Sequence, residues 1–134
     1  MHALLALLTI ATVSAELISA DRLPLRTSGS RIVDAQGRRA KLACVNWYGA
    51  HMEQHAVSGL HVQPLAAITS TIVSMGFNCI RLPFSLQLWS DDPVVPASVL
   101  QANPELQGLT GMQLLDRVIE EFRERQLLVI LSRW

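Results

Sequence analysis

Cysteine is scarce in this chain: only Cys44 and Cys79 occur in 134 residues. A small domain framed by disulfides needs more, so the fold must rest on an apolar core. Net charge is absent as well, with 11 basic and 11 acidic residues. That excludes the electrostatic footprint of a nucleic-acid binder or of a protein held to an anionic membrane surface. No Asn-x-Ser/Thr sequon is present, no repeat recurs, and no strand is followed by a GxGxxG turn. The last absence argues against a dinucleotide-binding fold. No apolar run reaches the about 20 residues that a membrane-spanning helix requires.

What is present begins with residues 1–15, MHALLALLTIATVSA. An apolar run ends in Val13-Ser14-Ala15, small residues in the pattern that a signal peptidase cuts. The stretch reads as a signal peptide, although its start carries His2 and no Lys or Arg. The competing readings are a frayed apolar N-terminus and an uncleaved anchor. Cleavage would leave roughly 115–119 residues, the size of one domain, secreted and free of the membrane. Residues 16–30 read as a lead-in. Residues 31–47 then read as a hairpin into a strand, with Ile32-Val33 and Ala40-Lys41-Leu42 as short strands around turn residues 34–37. Residues 41–47 are mostly apolar, as in a strand buried on both faces.

Leu65, Ile68, Ile72 and Met75 fall on one stripe at the helical period, which predicts a helix over 63–75 closed by Gly76. Residues 78–82 predict a second strand, stopped by Pro83. Thr110 and Gln113 have the spacing of a capping box, and Leu114, Leu115, Val118, Ile119 and Phe122 give the helix behind it an apolar face. Residues 127–131 predict a third strand. Alternating strands and helices imply an α/β fold with parallel strands joined by crossovers. Each strand-to-helix connection, 48–62 and 84–110, is long, and each return is short. A (β/α)8 barrel builds its active site from such loops; a doubly wound sheet gives the same element order.

The strings GRRAKLACVNWYGAH, SGL, MGFNCIRLPFS and NPELQGLTGMQLLDRVIEEFRERQLLVIL resemble glycoside hydrolase family 5, the cellulase family, over roughly Gly29 to Leu131. The resemblance implies a partial TIM barrel: its first three strands and two helices behind an N-terminal hairpin, with 31–134 as the start of a catalytic domain. It implies retaining hydrolysis of β-linked polysaccharides by two glutamates, without metal or organic cofactor, in an extracellular enzyme expected to act as a monomer when intact. Those glutamates belong after the fourth strand and on the seventh, beyond this chain. Asp91-Asp92 and Glu120-Glu121 sit in a loop and on a polar helix face and are not assigned catalysis. The family reads VILDxH where this chain reads VILSRW, with Ser132 and Trp134 in place of aspartate and histidine. A premature stop, a misread intron boundary or a fragmentary gene would leave such an ending. A diverged, non-catalytic secreted protein that binds glycan or a partner is the alternative.

By resemblance, Arg81 bonds the missing nucleophile glutamate, keeping it ionised and oriented; the bland reading is a strand-end arginine bonded to backbone. Asn46 points into the barrel mouth, and Asn46, Tyr48, His51 and Trp89 are the expected sugar contacts, Trp89 by stacking on a pyranose face. Alternation turns Trp47 outward to pack under the helices. His51, His55 and His61 match neither HExxH nor the full zinc-deaminase pattern, so no metal is expected. Cys44 and Cys79 share the inward face below Asn46 and Arg81. A disulfide is not excluded, but two free buried thiols are expected. N-terminal sequencing of secreted protein is expected to begin near Glu16; intact Met1 in the cytosol would overturn the leader reading.

Overall fold

A computed structural model describes residues 15–134; apart from Ala15, the leader lies outside the described residues. Strand β1 (Arg26–Ser28) and strand β2 (Arg31–Val33) form an antiparallel hairpin. They precede a parallel sheet of β3 (Cys44–Asn46), β4 (Cys79–Phe84) and β5 (Leu128–Arg133), in that spatial order. Helix α1 (Leu65–Ser74) crosses from β3 to β4. A short helix α2 (Leu86–Asp91) and the long helix α3 (Gly111–Glu124) lie between β4 and β5. Strand, crossover and parallel strand therefore follow the expected order.

Helix α3 starts where its local chemistry dictates. The Thr110 hydroxyl accepts from the Gln113 amide, and the Gln113 side chain accepts from the Thr110 amide. Two of the free amides at a helix start are thereby satisfied. Leu114, Leu115, Val118 and Phe122 are buried as their spacing demands. Phe122 meets Trp47 at 5.8 Å between ring centroids. Each fully buried side chain of this kind contributes about 1.5–3 kcal/mol.

Helix α1 is shorter than the periodicity predicts. Pro64 stands at its cap, and Met75, 68% exposed, falls off the end of the stripe. Thr69 is buried on that helix instead, its hydroxyl bonded to Leu65 O and Glu121 Oε1. The hairpin also differs. It turns at Gly29-Ser30, inside the supposed lead-in, with Gly29 at φ +56°. The turn at 34–37 exists, but only the single bridge Val33–Arg39 flanks it, because the Asp34 carboxylate gathers the Gln36 and Arg38 amides into a tight loop.

Strand β3 is half-exposed rather than buried on both faces, since it lies at a sheet edge. Pro83 does not stop β4. Arg81 O accepts from the Trp47 amide while Phe84 O accepts from the Trp134 amide, so alternate residues bond to opposite sides. Pro83 turns toward the side where β3 has already ended, and its missing N–H costs no ladder bond.

The thiol expectation is overturned: Cys44 and Cys79 form a disulfide. The parallel register sets them directly opposite, 4.3 Å apart between Cα atoms, on one face of the sheet.

Three buried polar side chains tie the irregular segments down. Asn78 donates to Glu16 O and Lys41 O and accepts from the Ala43 amide. Asn103 accepts from the Leu65 amide, capping α1 from 38 residues away, and donates to Leu60 O and Gln63 O. Asp34 takes charge-assisted bonds from Arg22 and Arg38. Burial pushes its carboxyl up, but the Arg22 and Arg38 hydrogen bonds outweigh burial and hold it at about 2, below the ordinary 3.8.

Asn103→Ala leaves the buried Leu65 amide without its partner and removes one donor each from Leu60 O, which keeps the Ala102 amide, and Gln63 O; it is expected to cost about 1–3 kcal/mol, read as a lower urea midpoint with unchanged slope. A change within about 0.5 kcal/mol would contradict this role. A carboxyl depressed by folding contributes stability that is complete above its unfolded value and lost as pH falls through its folded value. The Asp34 contribution is therefore expected to fade between pH 3.8 and about 2. Asp34→Asn should lower stability at neutral pH and flatten the acid slope in that window; parallel acid profiles would refute it.

Candidate active site

The three parallel strands end at one edge, and both long loops leave from it. The register aligns Asn46 with Arg81 and Arg81 with Ile130. Side chains paired across parallel strands share a face, and every second residue returns to it. Asn46, Arg81 and Ser132 therefore form a polar row above the Cys44–Cys79 disulfide. The half-buried Arg81 guanidinium donates to the Ser132 hydroxyl at 2.7 Å. The residue standing where the resemblance places an aspartate thus supplies Arg81 with an acceptor. The opposite face carries Ile80 and Leu82, both fully buried.

The first loop folds back over the strand ends through Gly49. Its φ is +126°, and a Cβ there would lie 2.3 Å from Ala56 O. No other residue type fits that geometry. Ser58 N bonds Tyr48 O, and the Trp47 indole donates to Ser58 O. Trp47 is thereby packed away from the row, as alternation indicated.

Tyr48 and His51 emerge beside the row. Their rings meet edge-on at 5.6 Å, and His51 lies 5.4 Å from the Trp134 ring. His55 is buried at φ +51° and His61 is exposed. Trp89 stands apart: it lies on α2, 66% exposed, with no ring contact among the described residues. The structure thus sets Asn46, Tyr48, His51 and Arg81 at the end of the sheet from which the long connections leave, and Trp89 on α2 within the second of those connections. Among the described residues no set of three His, Cys, Asp or Glu side chains is placed to hold a metal.

The acids nearest in sequence are engaged elsewhere. Asp92 takes the Met112 amide and the Thr110 hydroxyl, serving as a remote cap for α3. Glu121 bonds Thr69 and Arg125; burial pushes its carboxyl up, and the Arg125 hydrogen bond brings it below the ordinary carboxylate value. Glu120 pairs with Arg123. A hollow of about 600 Å³ lies at the opposite end of the sheet, between Arg39–Ala43 and Met75–Phe77, away from the polar row. Ser132 and Trp134 were read from sequence only as departures from a motif. Counting alternate residues from Leu128 through Ile130 would have placed both on the Arg81 face.

No family model matches the chain. It is 38% identical over 127 residues to a glycosyl hydrolase 5 family protein of Chamaecyparis obtusa, covering 82% of this chain and 23% of that protein. It is 37% identical over 103 residues to the major extracellular endoglucanase of Xanthomonas campestris pv. campestris, covering 76% of this chain and 21% of the other. The catalytic domain of that endoglucanase superposes with a TM-score of 0.73 at 32% identity, over 81% of this chain and 31% of the domain. An endocellulase from Pyrococcus horikoshii, solved with cellotetraose, superposes with a TM-score of 0.73 at 26% identity, over 85% of this chain and 32% of the other. Over most of its length the chain thus has the α/β structure of about a third of an endoglucanase catalytic domain. Its relatives are a glycosyl hydrolase 5 family protein and endoglucanases, in line with the resemblance of its motifs, and the chain spans between a fifth and a third of the curated relatives it matches.

Proposed function

We propose that these residues supply the first three strands of a (β/α)8 barrel in a secreted, monomeric β-glucanase that cleaves cellulose or a related β-1,4-glucan with retention. One observation carries the reading: the zero-offset register sets Asn46 and Arg81 side by side where both long loops begin. Active sites of such barrels lie at the carboxyl ends of the strands, and the strand-to-helix loops build them. The Xanthomonas relative is a major extracellular endoglucanase, which supports both the substrate class and removal of residues 1–15 as a leader.

Retaining hydrolysis uses two carboxyl groups about 5 Å apart: one attacks the anomeric carbon, and the other donates and later removes a proton. By family resemblance both reside on later strands. Arg81 acts on the nucleophile, since a guanidinium in contact favours the ionised carboxylate and fixes its lone pairs for attack. In this role it releases or shares its bond to Ser132. Asn46, Tyr48 and His51 contact the sugar from the first strand and loop. Trp89 joins them through the second loop as a stacking ring. Neither metal nor organic cofactor takes part, because proton transfer and carboxylate attack complete the reaction with water alone.

The 134-residue chain by itself is expected to release no reducing sugar from carboxymethylcellulose. Grafted in place of the matching segment of the Xanthomonas catalytic domain, it is expected to support hydrolysis. Arg81→Ala in the graft should then lower kcat by about 10²–10³-fold, the scale of losing one preorganised donor. Turnover by the chain alone, or a folded graft indifferent to Arg81→Ala, would refute the assignment.

A further inference from the structure

We propose that Cys44 and Cys79 are positioning residues: their disulfide fixes Asn46, and the loop that follows it, against Arg81. The inference rests on the glycan-acting reading above and gives a role there to a bond that takes no part in the chemistry. Asn46 follows Cys44 by two residues, and Arg81 follows Cys79 by two. The zero-offset register makes both pairs neighbours across the strands. A strand rises about 3.3 Å per residue and repeats its side-chain direction every second one. The cross-link therefore lies on the face of Asn46 and Arg81, about 7 Å below them.

The two strands that it joins are not held equally. β4 pairs with β5 over six residues, Cys79 to Phe84, and Arg81 also donates to Ser132. β4 pairs with β3 over three, opposite Cys44 to Asn46. On either side of those three, the Asn78 amide bonds Ala43 O and the Trp47 amide bonds Arg81 O. Arg81 thus keeps its place through β5. Asn46 takes its place from a short ladder, from Trp47 packed on the other face against Phe122, and from the covalent bond beneath it.

That bond excludes a shift which burial alone does not. A one-residue slip of β3 would turn its buried and polar faces around, and the apolar core opposes it. A two-residue slip restores every side chain to its proper face. It would set Asn46 level with Cys79 or Pro83 instead of Arg81 while the hydrophobic pattern stayed intact. The same slip would carry the cysteine Cα atoms beyond the about 7 Å that a disulfide can span. The cross-link thus selects among registers that the strand's own pattern leaves equivalent. It closes a loop of 35 residues, which contains the first connection and α1, so the start of that connection is fixed with Asn46.

The test is amide hydrogen exchange of the 134-residue chain, oxidised and then reduced with dithiothreitol. Two electrons and two protons pass to the cysteine sulfurs, and the reagent closes to its own cyclic disulfide. Reduction is expected to speed exchange of the Trp47 amide, whose acceptor is Arg81 O, about 10-fold or more, while the Leu128 amide, bonded to Asn78 O, keeps its protection. Cys44→Ala/Cys79→Ala should behave as the reduced chain does. Equal acceleration of both amides, the mark of a bond that serves stability alone, or no change at either, overturns the positioning role. In a Xanthomonas graft that hydrolyses cellotetraose, the double variant is expected to raise KM about 3- to 10-fold with kcat within about twofold, because Asn46 is released while Arg81 stays on β5. An unchanged KM there overturns the role as well. Selective release of the Trp47 amide beside a folded graft that hydrolyses nothing upholds the positioning of Asn46 and overturns the hydrolase assignment instead.

Discussion

Everything at the candidate site depends on the pairing of β3 with β4 at zero offset. Cys44 faces Cys79, Val45 faces Ile80 and Asn46 faces Arg81. Side-chain direction in a strand has a period of two, so a slip of one residue would send Arg81 into the helices and Ile80 into the mouth of the sheet. The three residues of β3 offer few ladder bonds to resist such a slip. The Cys44–Cys79 disulfide reinforces them from below, and Asn78 does so from the strand entrance by binding Lys41 O and the Ala43 amide. Covalent bond, ladder and buried amide specify the same register.

The long loops are held by a second principle, remote capping. Helix starts leave amides without partners, and Pro64 supplies no side-chain acceptor to α1. Asn103 supplies it from the second loop, and Asp92 does the same for α3 from just after α2. The second loop is thus fixed by satisfying two helices, and Asn103 also holds the end of the first loop through Leu60 O and Gln63 O. Leu60, Leu88, Leu100 and Leu106 fill the space beneath and are almost fully buried. At the start of the first loop, Tyr48 O accepts from the Ser58 amide and Gly49 O from the Met52 amide, so that turn is held by its own backbone.

Much of this was legible in the sequence where the cause is local. The capping box at Thr110 and the apolar face from Leu114 to Phe122 need only a few neighbouring residues, and both hold. So does the order of strands and crossovers, because hydrophobic period and loop length survive without tertiary detail. The features that escaped depend on partners. Pro83 continues β4 because β3 ends first, and no property of residues 78–84 says so. The disulfide needs a register, the half-exposure of β3 needs knowledge of its neighbours, and α2 is too short to show a period. At the site, Asn46 lies beside Arg81 and Tyr48 meets His51, whereas Trp89 makes no ring contact among the described residues.

The central claim is the register, and the disulfide reports it. Peptide mapping of the unreduced protein by mass spectrometry is the most direct measurement. The account requires one intramolecular link joining the peptide of Cys44 to that of Cys79. Two free thiols in freshly isolated, oxidised protein, or a link only between two chains, would contradict the zero-offset pairing and with it the row of Asn46, Arg81 and Ser132.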